Sequence, residues 1–153
     1  MTGSPDDPDD IPPVAVVVTP LAAADVLAGS LRLAGAALPA GTVVAPTGGG
    51  AVVAAALDQD AAQSLAEGVS RVLRDVPVLL LTRQAGRLSA TRWSGGRAGE
   101  SLTPGLVMAT LDDAVEALLL GRTAPARATG AIDVARLGRW RAARMVATAR
   151  RRG

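Results

Sequence analysis

The sequence predicts one domain that mixes β-strands with α-helices, and three observations carry this prediction. The chain has 153 residues, of which 49% are hydrophobic and 20% charged, proportions typical of a single soluble domain. Short β-branched runs such as residues 14–18 alternate with longer segments in which apolar residues recur at helical spacing. The apolar run 78–82 is followed by Gln84, Ala85 and Gly86 and then by a second strand-like segment at 87–93, a combination that predicts a β-hairpin.

The first part of the chain is predicted to alternate strands and helices after a disordered beginning. Residues 1–13 are rich in Pro and Asp and have little to bury, so we expect an acidic, disordered tail. The apolar segment 21–38 is closed by Pro39 and Gly41, which are typical of helix ends. The predicted elements are a buried strand at 14–18, a helix at 21–38, a strand at 41–45 and a helix at 51–57.

The central part is predicted to form a helix followed by a hairpin. Asp60 and Gln63 have the spacing of a capping box, in which each side chain satisfies a free backbone N–H at the start of a helix. Residues 78–82 are uniformly apolar, so both faces of this strand should be covered. Residues 87–93 are its predicted hairpin partner, and residues 94–99 are expected to form a flexible loop.

The last third is predicted to contain two further strands and two helices. Thr110 is expected to cap a helix whose first turn contains Asp112 and Asp113, because acidic residues are favourable at that end of the helix dipole. Gly138 separates the last strand from the last helix. The predicted elements are a strand at 106–110, a helix at 112–120, a strand at 129–136, a helix from about residue 139 to 150 and a basic tail at 151–153.

The residue types that are missing exclude many functions. The chain contains no Cys, His, Lys, Asn, Phe or Tyr, and all 16 basic residues are Arg. Without Cys and His there is no zinc finger, haem ligation, thiol nucleophile or Ser-His-Asp triad. Without Lys there is neither a Schiff base nor the lysine of a phosphate-binding loop. We therefore expect a non-enzymatic protein without a cofactor or a bound metal.

Charge is distributed unevenly along the chain. Residues 1–60 contain one Arg and seven Asp, whereas residues 121–153 contain nine Arg and one Asp. Solvated termini explain this pattern most simply, although opposed charges could also steer a protein partner. The acidic start is unlike a signal peptide, and the apolar stretch 14–38 is interrupted by Pro and by charged residues. The expected location is cytoplasmic, without a membrane span and without a nucleic-acid partner.

The glycine run Gly48, Gly49 and Gly50 lies between a predicted strand and a predicted helix. Backbone N–H groups at such a helix start can bind phosphate. The run matches neither of the common phosphate-binding spacings. A flexible turn is therefore the preferred interpretation, and phosphate binding is the less favoured alternative.

From about residue 61 to 152 the sequence resembles the sterol-carrier-protein type 2 lipid-binding domain. The resemblance is carried by LVMATLDDAVEALLLG at 106–121, by GAIDVAR at 130–136 and by the break at Gly138. A related version is the C-terminal domain of mycothiol-dependent maleylpyruvate isomerases, which has a Trp in its hairpin much as Trp93 lies here. The resemblance leaves residues 14–57 unassigned and has no invariant catalytic motif.

The resemblance implies an α+β fold in which helices cover a mainly antiparallel sheet; an α/β sandwich is the alternative. It also implies a lipid or another small apolar ligand between the sheet and the helices. The interior is aliphatic and contains few aromatic residues, which favours gaps that such a ligand could fill. A non-catalytic interaction module or adaptor, possibly homodimeric, is the second hypothesis. The candidate ligand-binding residues are Leu79, Leu81, Trp93, Met108, Leu118, Leu119 and Met145.

Overall fold

A seven-stranded antiparallel sheet organises residues 12–152, the part of the chain that the computed structural model describes. This confirms the predicted α+β class. The acidic tail predicted at 1–13 lies outside the described residues, apart from Pro12 and Pro13. The strands are β1 Val14–Val18, β2 Val43–Ala45, β3 Val52–Ala55, β4 Val78–Gln84, β5 Arg87–Ser94, β6 Arg97–Leu102 and β7 Ile132–Asp133. The helices are α1 Ala24–Leu33, α2 Gln59–Leu73, α3 Pro104–Met108, α4 Asp113–Leu119 and α5 Arg139–Arg152.

Strand β1 is the central strand of the sheet, whose order is β6-β5-β4-β1-β3-β2-β7. Val16 is paired with Ala54 of β3 on one side and with Leu81 of β4 on the other. Its β-branched neighbours suit a pleated strand that is covered on both faces. The strands of residues 14–57 therefore belong to the same sheet as the strands of the later part of the chain.

One face of the sheet, here called the α1/α2 face, is covered by α1 and α2. Ala15 and Val17 of β1 point to this face and belong to one buried cluster with residues of both helices. Helix α5 packs on α1, where a Cβ built on Gly29 would lie 2.9 Å from the Ala142 carbonyl oxygen. The absence of a side chain at Gly29 therefore allows α5 to approach α1 closely. Ala142 is fully buried there, whereas Met145 is half-buried.

The opposite face, here called the α4 face, is covered by residues 103–131. Val115, Leu118 and Leu119 of α4 are buried against Val14 and Val16 of β1. Val14 and Val16 thus face α4, whereas Ala15 and Val17 face α1 and α2. Successive side chains of a strand point to opposite faces of the sheet, which explains this alternation. No helix in the described part of the chain is long and apolar enough to cross a membrane.

Two tight hairpins connect β4, β5 and β6. The first has positive φ angles at Ala85 (50°) and Gly86 (77°), and the second at Gly95 (58°) and Gly96 (85°), as type I′ turns require. The turn predicted at Gln84–Gly86 is thus confirmed. The flexible loop predicted at 94–99 was wrong, because this segment turns directly into the edge strand β6, whose residues are largely exposed and show no apolar pattern.

Three predicted elements have the wrong type or length. The helix expected at 51–57 is wrong: Val52–Ala55 is a strand paired with β1 and with β2. The strand expected at 106–110 is replaced by α3, which begins at Pro104, a residue suited to the first helical turn. The strand expected at 129–136 is limited to Ile132–Asp133, and a 3₁₀ turn follows at Val134–Arg136.

Helix boundaries also differ from the predicted ones. Asp58 rather than Asp60 caps α2, because its backbone is extended and its side chain accepts a hydrogen bond from the Ala61 N–H. Asp112 rather than Thr110 caps α4, and the Thr110 hydroxyl donates to the Val107 carbonyl oxygen instead. At the C-terminal end, Arg151 continues α5 rather than beginning a separate tail.

Candidate functional site

Helix α4 is fixed at its N-terminus by the carboxylate of Asp112. One carboxylate oxygen accepts a hydrogen bond from the Ala114 N–H at 2.9 Å and thereby caps the helix. The other oxygen accepts from the Gly48 N–H at 3.1 Å, in the loop that joins β2 to β3. Gly48 leaves room for this contact, since a Cβ there would lie 2.5 Å from the same oxygen. A single side chain therefore joins α4 to the β2–β3 hairpin.

The glycine run leads into a strand and not into a helix, so the helix N-terminus on which phosphate binding would depend is not present at Gly50. Each of its three N–H groups already has a partner within the protein. Gly48 donates to Asp112, Gly49 donates to the Thr47 hydroxyl at 3.2 Å, and Gly50 donates to the Thr47 carbonyl oxygen at 3.3 Å. The run therefore forms a turn, as expected, but internal hydrogen bonds hold it in place where a flexible turn was predicted, and its N–H groups are not directed at an external anion.

A small apolar cleft of about 130 Å³ lies beside the C-terminal end of α4. Its walls come from the beginning of β1, from the residue after β3, from α4 and from the 3₁₀ turn at Pro125–Arg127. The lining is mainly aliphatic or proline, with the Thr123 hydroxyl as the one side-chain polar group among its lining residues. These residues are Pro12, Pro13, Val14, Ala56, Leu118, Gly121, Thr123, Ala124 and Pro125.

A second cleft, of about 400 Å³, lies along α4 towards its N-terminus and shares Leu118 and Thr123 with the first. It is more polar, because the side chains of Thr47, Asp113 and Arg127 contribute to its lining. The two clefts are here called the α4 clefts. Because the apolar cleft and the more polar cleft adjoin each other, one ligand with an apolar part and a polar part could occupy both.

The seven predicted ligand-binding residues do not line one common space. Five of them lie on the α4 face: Leu81, Leu118 and Leu119 are buried there, and Leu79 and Met108 are packed against them. Trp93 and Met145 lie on the α1/α2 face, on the other side of the sheet. Of the seven, only Leu118 contributes to the α4 clefts.

Sequence reasoning missed the residues that line most of the α4 clefts. Thr123, Pro125 and Arg127 belong to the short segment between α4 and β7, which has no regular pattern and received no prediction. The segment contains Pro, Thr and Ala and is flanked by Gly121 and Gly130. This composition is the one feature of the sequence that indicates a turn here. Ala56 was missed because it was assigned to a helix.

Trp93 is only 8% exposed, and its indole N–H has no hydrogen-bond partner among the described residues. It belongs to the buried cluster of the α1/α2 face, where its ring supplies volume to an otherwise aliphatic core. It does not line either of the α4 clefts. Its position indicates a packing role.

The α4 clefts combine apolar surface with groups that can form hydrogen bonds and ion pairs. Their side chains offer aliphatic surface, threonine hydroxyls, one carboxylate and one guanidinium. Within residues 12–152, no group of three or more acidic residues is placed to hold a metal ion. Larger clefts elsewhere include one of about 540 Å³ beside α2, where the Glu67–Arg71 ion pair (2.6 Å) forms part of the wall.

Comparison with known proteins gives no match: no protein-family model, no curated protein and no solved structure is similar to this chain.

Proposed function

We propose that this protein is a non-enzymatic carrier of a lipid or another small apolar ligand, and that the α4 clefts hold this ligand. The observation that carries the proposal is the aliphatic and proline lining of the smaller cleft, which adjoins a more polar cleft at Leu118 and Thr123. Burial of each methylene of the ligand would contribute about 0.8 kcal/mol. The resemblance of residues 61–152 to the sterol-carrier domain supports the same ligand class.

The polar cleft suggests which end of an amphipathic ligand lies where. Arg127 is the guanidinium among the lining residues of the larger cleft, to which Thr47 and Thr123 contribute hydroxyls and Asp113 a carboxylate. A guanidinium forms strong hydrogen bonds with a carboxylate. A fatty acid would therefore place its chain towards Pro125 and its carboxylate towards Arg127.

Binding of a dansyl-labelled fatty acid tests this proposal. Ala56→Trp should fill the apolar cleft and weaken binding about tenfold or more, a loss of roughly 1.4 kcal/mol. Ala98→Trp is the matched control, because Ala98 is exposed on β6 and lines neither α4 cleft. Arg127→Gln should weaken binding of the fatty acid but not of its methyl ester. Absence of saturable binding by the unaltered protein, with no lipid retained in native mass spectrometry, would refute the carrier function.

The second candidate function is a non-catalytic interaction module that forms homodimers. The observation that favours it is Leu106 of α3, which is 73% exposed. The other large exposed apolar side chain, Trp140, lies on α5 on the opposite side of the sheet, so the two do not form one patch. Sedimentation velocity distinguishes the hypotheses: a dimer that Leu106→Gln disrupts supports the module, whereas a monomer at all concentrations supports the carrier.

A further inference from the structure

The outer side of α5 combines positive charge with an exposed aromatic ring. The helix contains six Arg and no acidic residue. Trp140, in its first turn, is 85% exposed, although a tryptophan side chain is ordinarily buried for most of its area. Neither the core of the protein nor the α4 clefts use these groups. This surface therefore requires an explanation of its own.

The geometry of α5 places its outward groups on one line. Successive residues are rotated by about 100°, so positions 140, 144, 147 and 151 lie within one narrow strip of the helix surface. This strip points away from Ala142, which is buried against α1, and all four of its residues are exposed. Trp140, Arg144, Ala147 and Arg151 are here called the α5 strip. From its first to its last residue it extends about 16 Å.

The arginines of this surface have no anionic partner within the described part of the protein. No ion pair found among residues 12–152 includes Arg139, Arg141, Arg144 or Arg151. Asp25 of α1 lines a shallow cleft together with Arg141 and Arg144 but forms no ion pair with either of them. The charge on the strip is therefore not neutralised within the described part of the protein, and it calls for an anionic partner.

We propose that the α5 strip binds the surface of an anionic lipid bilayer. A flat surface touches a cylindrical helix along one line, so Trp140, Arg144 and Arg151 can reach it together. Arginines near an anionic bilayer contribute favourable electrostatic free energy, and their aliphatic stems can lie along the apolar layer while the guanidinium stays at the headgroups. Tryptophan is enriched at this same depth of the bilayer.

The alternatives fit these observations less well. A second copy of the chain that docked strip against strip would bring one set of arginines against another, and like charges repel. Proteins that bind single-stranded nucleic acid stack successive bases on several aromatic rings. This chain has only two aromatic residues, Trp140 and Trp93, and Trp93 is buried in the core of the α1/α2 face. A single ring flanked by arginines on a straight strip matches a bilayer interface better.

Co-flotation with vesicles tests the proposal on the full chain. Vesicles of phosphatidylcholine mixed with phosphatidylglycerol should bind the protein, and vesicles of phosphatidylcholine alone should not. The double variant Arg144→Gln/Arg151→Gln should bind the anionic vesicles roughly 25-fold more weakly, the product of about fivefold for each lost charge. Glutamine favours helices about as well as arginine, so α5 should remain folded. Arg87→Gln/Arg97→Gln is the matched control, because it removes the same charge from exposed residues of the β4–β6 hairpins.

Tryptophan fluorescence gives a second readout. Trp140 should show a blue shift when anionic vesicles are added, and Trp140→Phe should abolish the shift because Trp93 is already buried. Equal binding to both vesicle types would overturn the proposal, as would equal weakening by the control variant. Tighter binding to single- or double-stranded DNA at the same phosphate concentration would identify the strip as a nucleic-acid surface instead. Ala56→Trp should leave vesicle binding unchanged, so the result is independent of the carrier function.

Discussion

Substitution of Asp112 tests how α4 is held above the sheet. Its carboxylate accepts one hydrogen bond from the Ala114 N–H and a second from the Gly48 N–H. Loss of a helix cap costs about 1 kcal/mol, and loss of a further hydrogen bond to an exposed carboxylate costs roughly another 1 kcal/mol. We therefore expect Asp112→Ala to lower the free energy of unfolding by about 2 kcal/mol.

Asp58→Ala is the matched control for this prediction. Asp58 caps α2 through one hydrogen bond, from the Ala61 N–H at 2.9 Å, and its side chain accepts no second one from residues 12–152. We expect its loss to cost about 1 kcal/mol. Asp112→Asn should fall between the two alanine variants, because an amide keeps one acceptor oxygen and replaces the other with a donor.

Urea unfolding followed by far-UV circular dichroism measures all three variants. Equal losses for Asp112→Ala and Asp58→Ala would refute the reasoning, since the hydrogen bond to Gly48 would then contribute nothing. A loss in Asp112→Asn as large as in Asp112→Ala would show that the helix cap itself needs the negative charge.

Three further substitutions test backbone geometry and packing by the same unfolding measurement. Gly50 has a φ of 124°, and a Cβ built there would overlap the Thr19 carbonyl oxygen. Gly50→Ala should therefore lower the free energy of unfolding by about 3 kcal/mol or more. A loss below about 1 kcal/mol would contradict this backbone geometry. Ala85→Asn should stabilise the protein by about 1 kcal/mol, because asparagine tolerates the positive φ of the β4–β5 turn; no gain would mean that the turn is unstrained. Trp93→Ala should lower the free energy of unfolding by roughly 3–5 kcal/mol. Trp93→Phe should lower it far less, since it keeps an aromatic ring and removes a buried N–H that has no partner among the described residues. Equal losses in the two variants would show that the indole itself is required.

The buried elements of this fold could be predicted from the sequence because burial leaves a pattern. The β-branched run of β1 and the uniformly apolar run of β4 are buried on both faces of the sheet, and both were predicted as strands. The edge strand β6 is exposed along most of its length and contains Gly99. An edge strand of this kind has no apolar period, so its residues resemble a loop in the sequence.

The errors at β3 and α3 have a different physical cause, which is the influence of neighbours far along the chain. Ala54 and Ala55 favour a helix by themselves, but β3 lies between two strands whose pairing satisfies its backbone. At α3 the local signal is Pro104, which suits the first turn of a helix, whereas the apolar residues after it, taken alone, indicate a strand. The α4 clefts depend on the irregular segment at 123–129, whose conformation no periodic pattern encodes.

The central position of β1 also affects how the protein reaches its native state during synthesis. Val16 cannot complete its pairing until Leu81 has left the ribosome, because these residues face each other across the sheet. Until then one edge of an apolar, β-branched strand stays open in the nascent chain, and such an edge can pair with other chains. Pairing over so many intervening residues is also slow. Faster pairing of β4 with β1 would therefore shorten the time during which this open edge can pair with other chains.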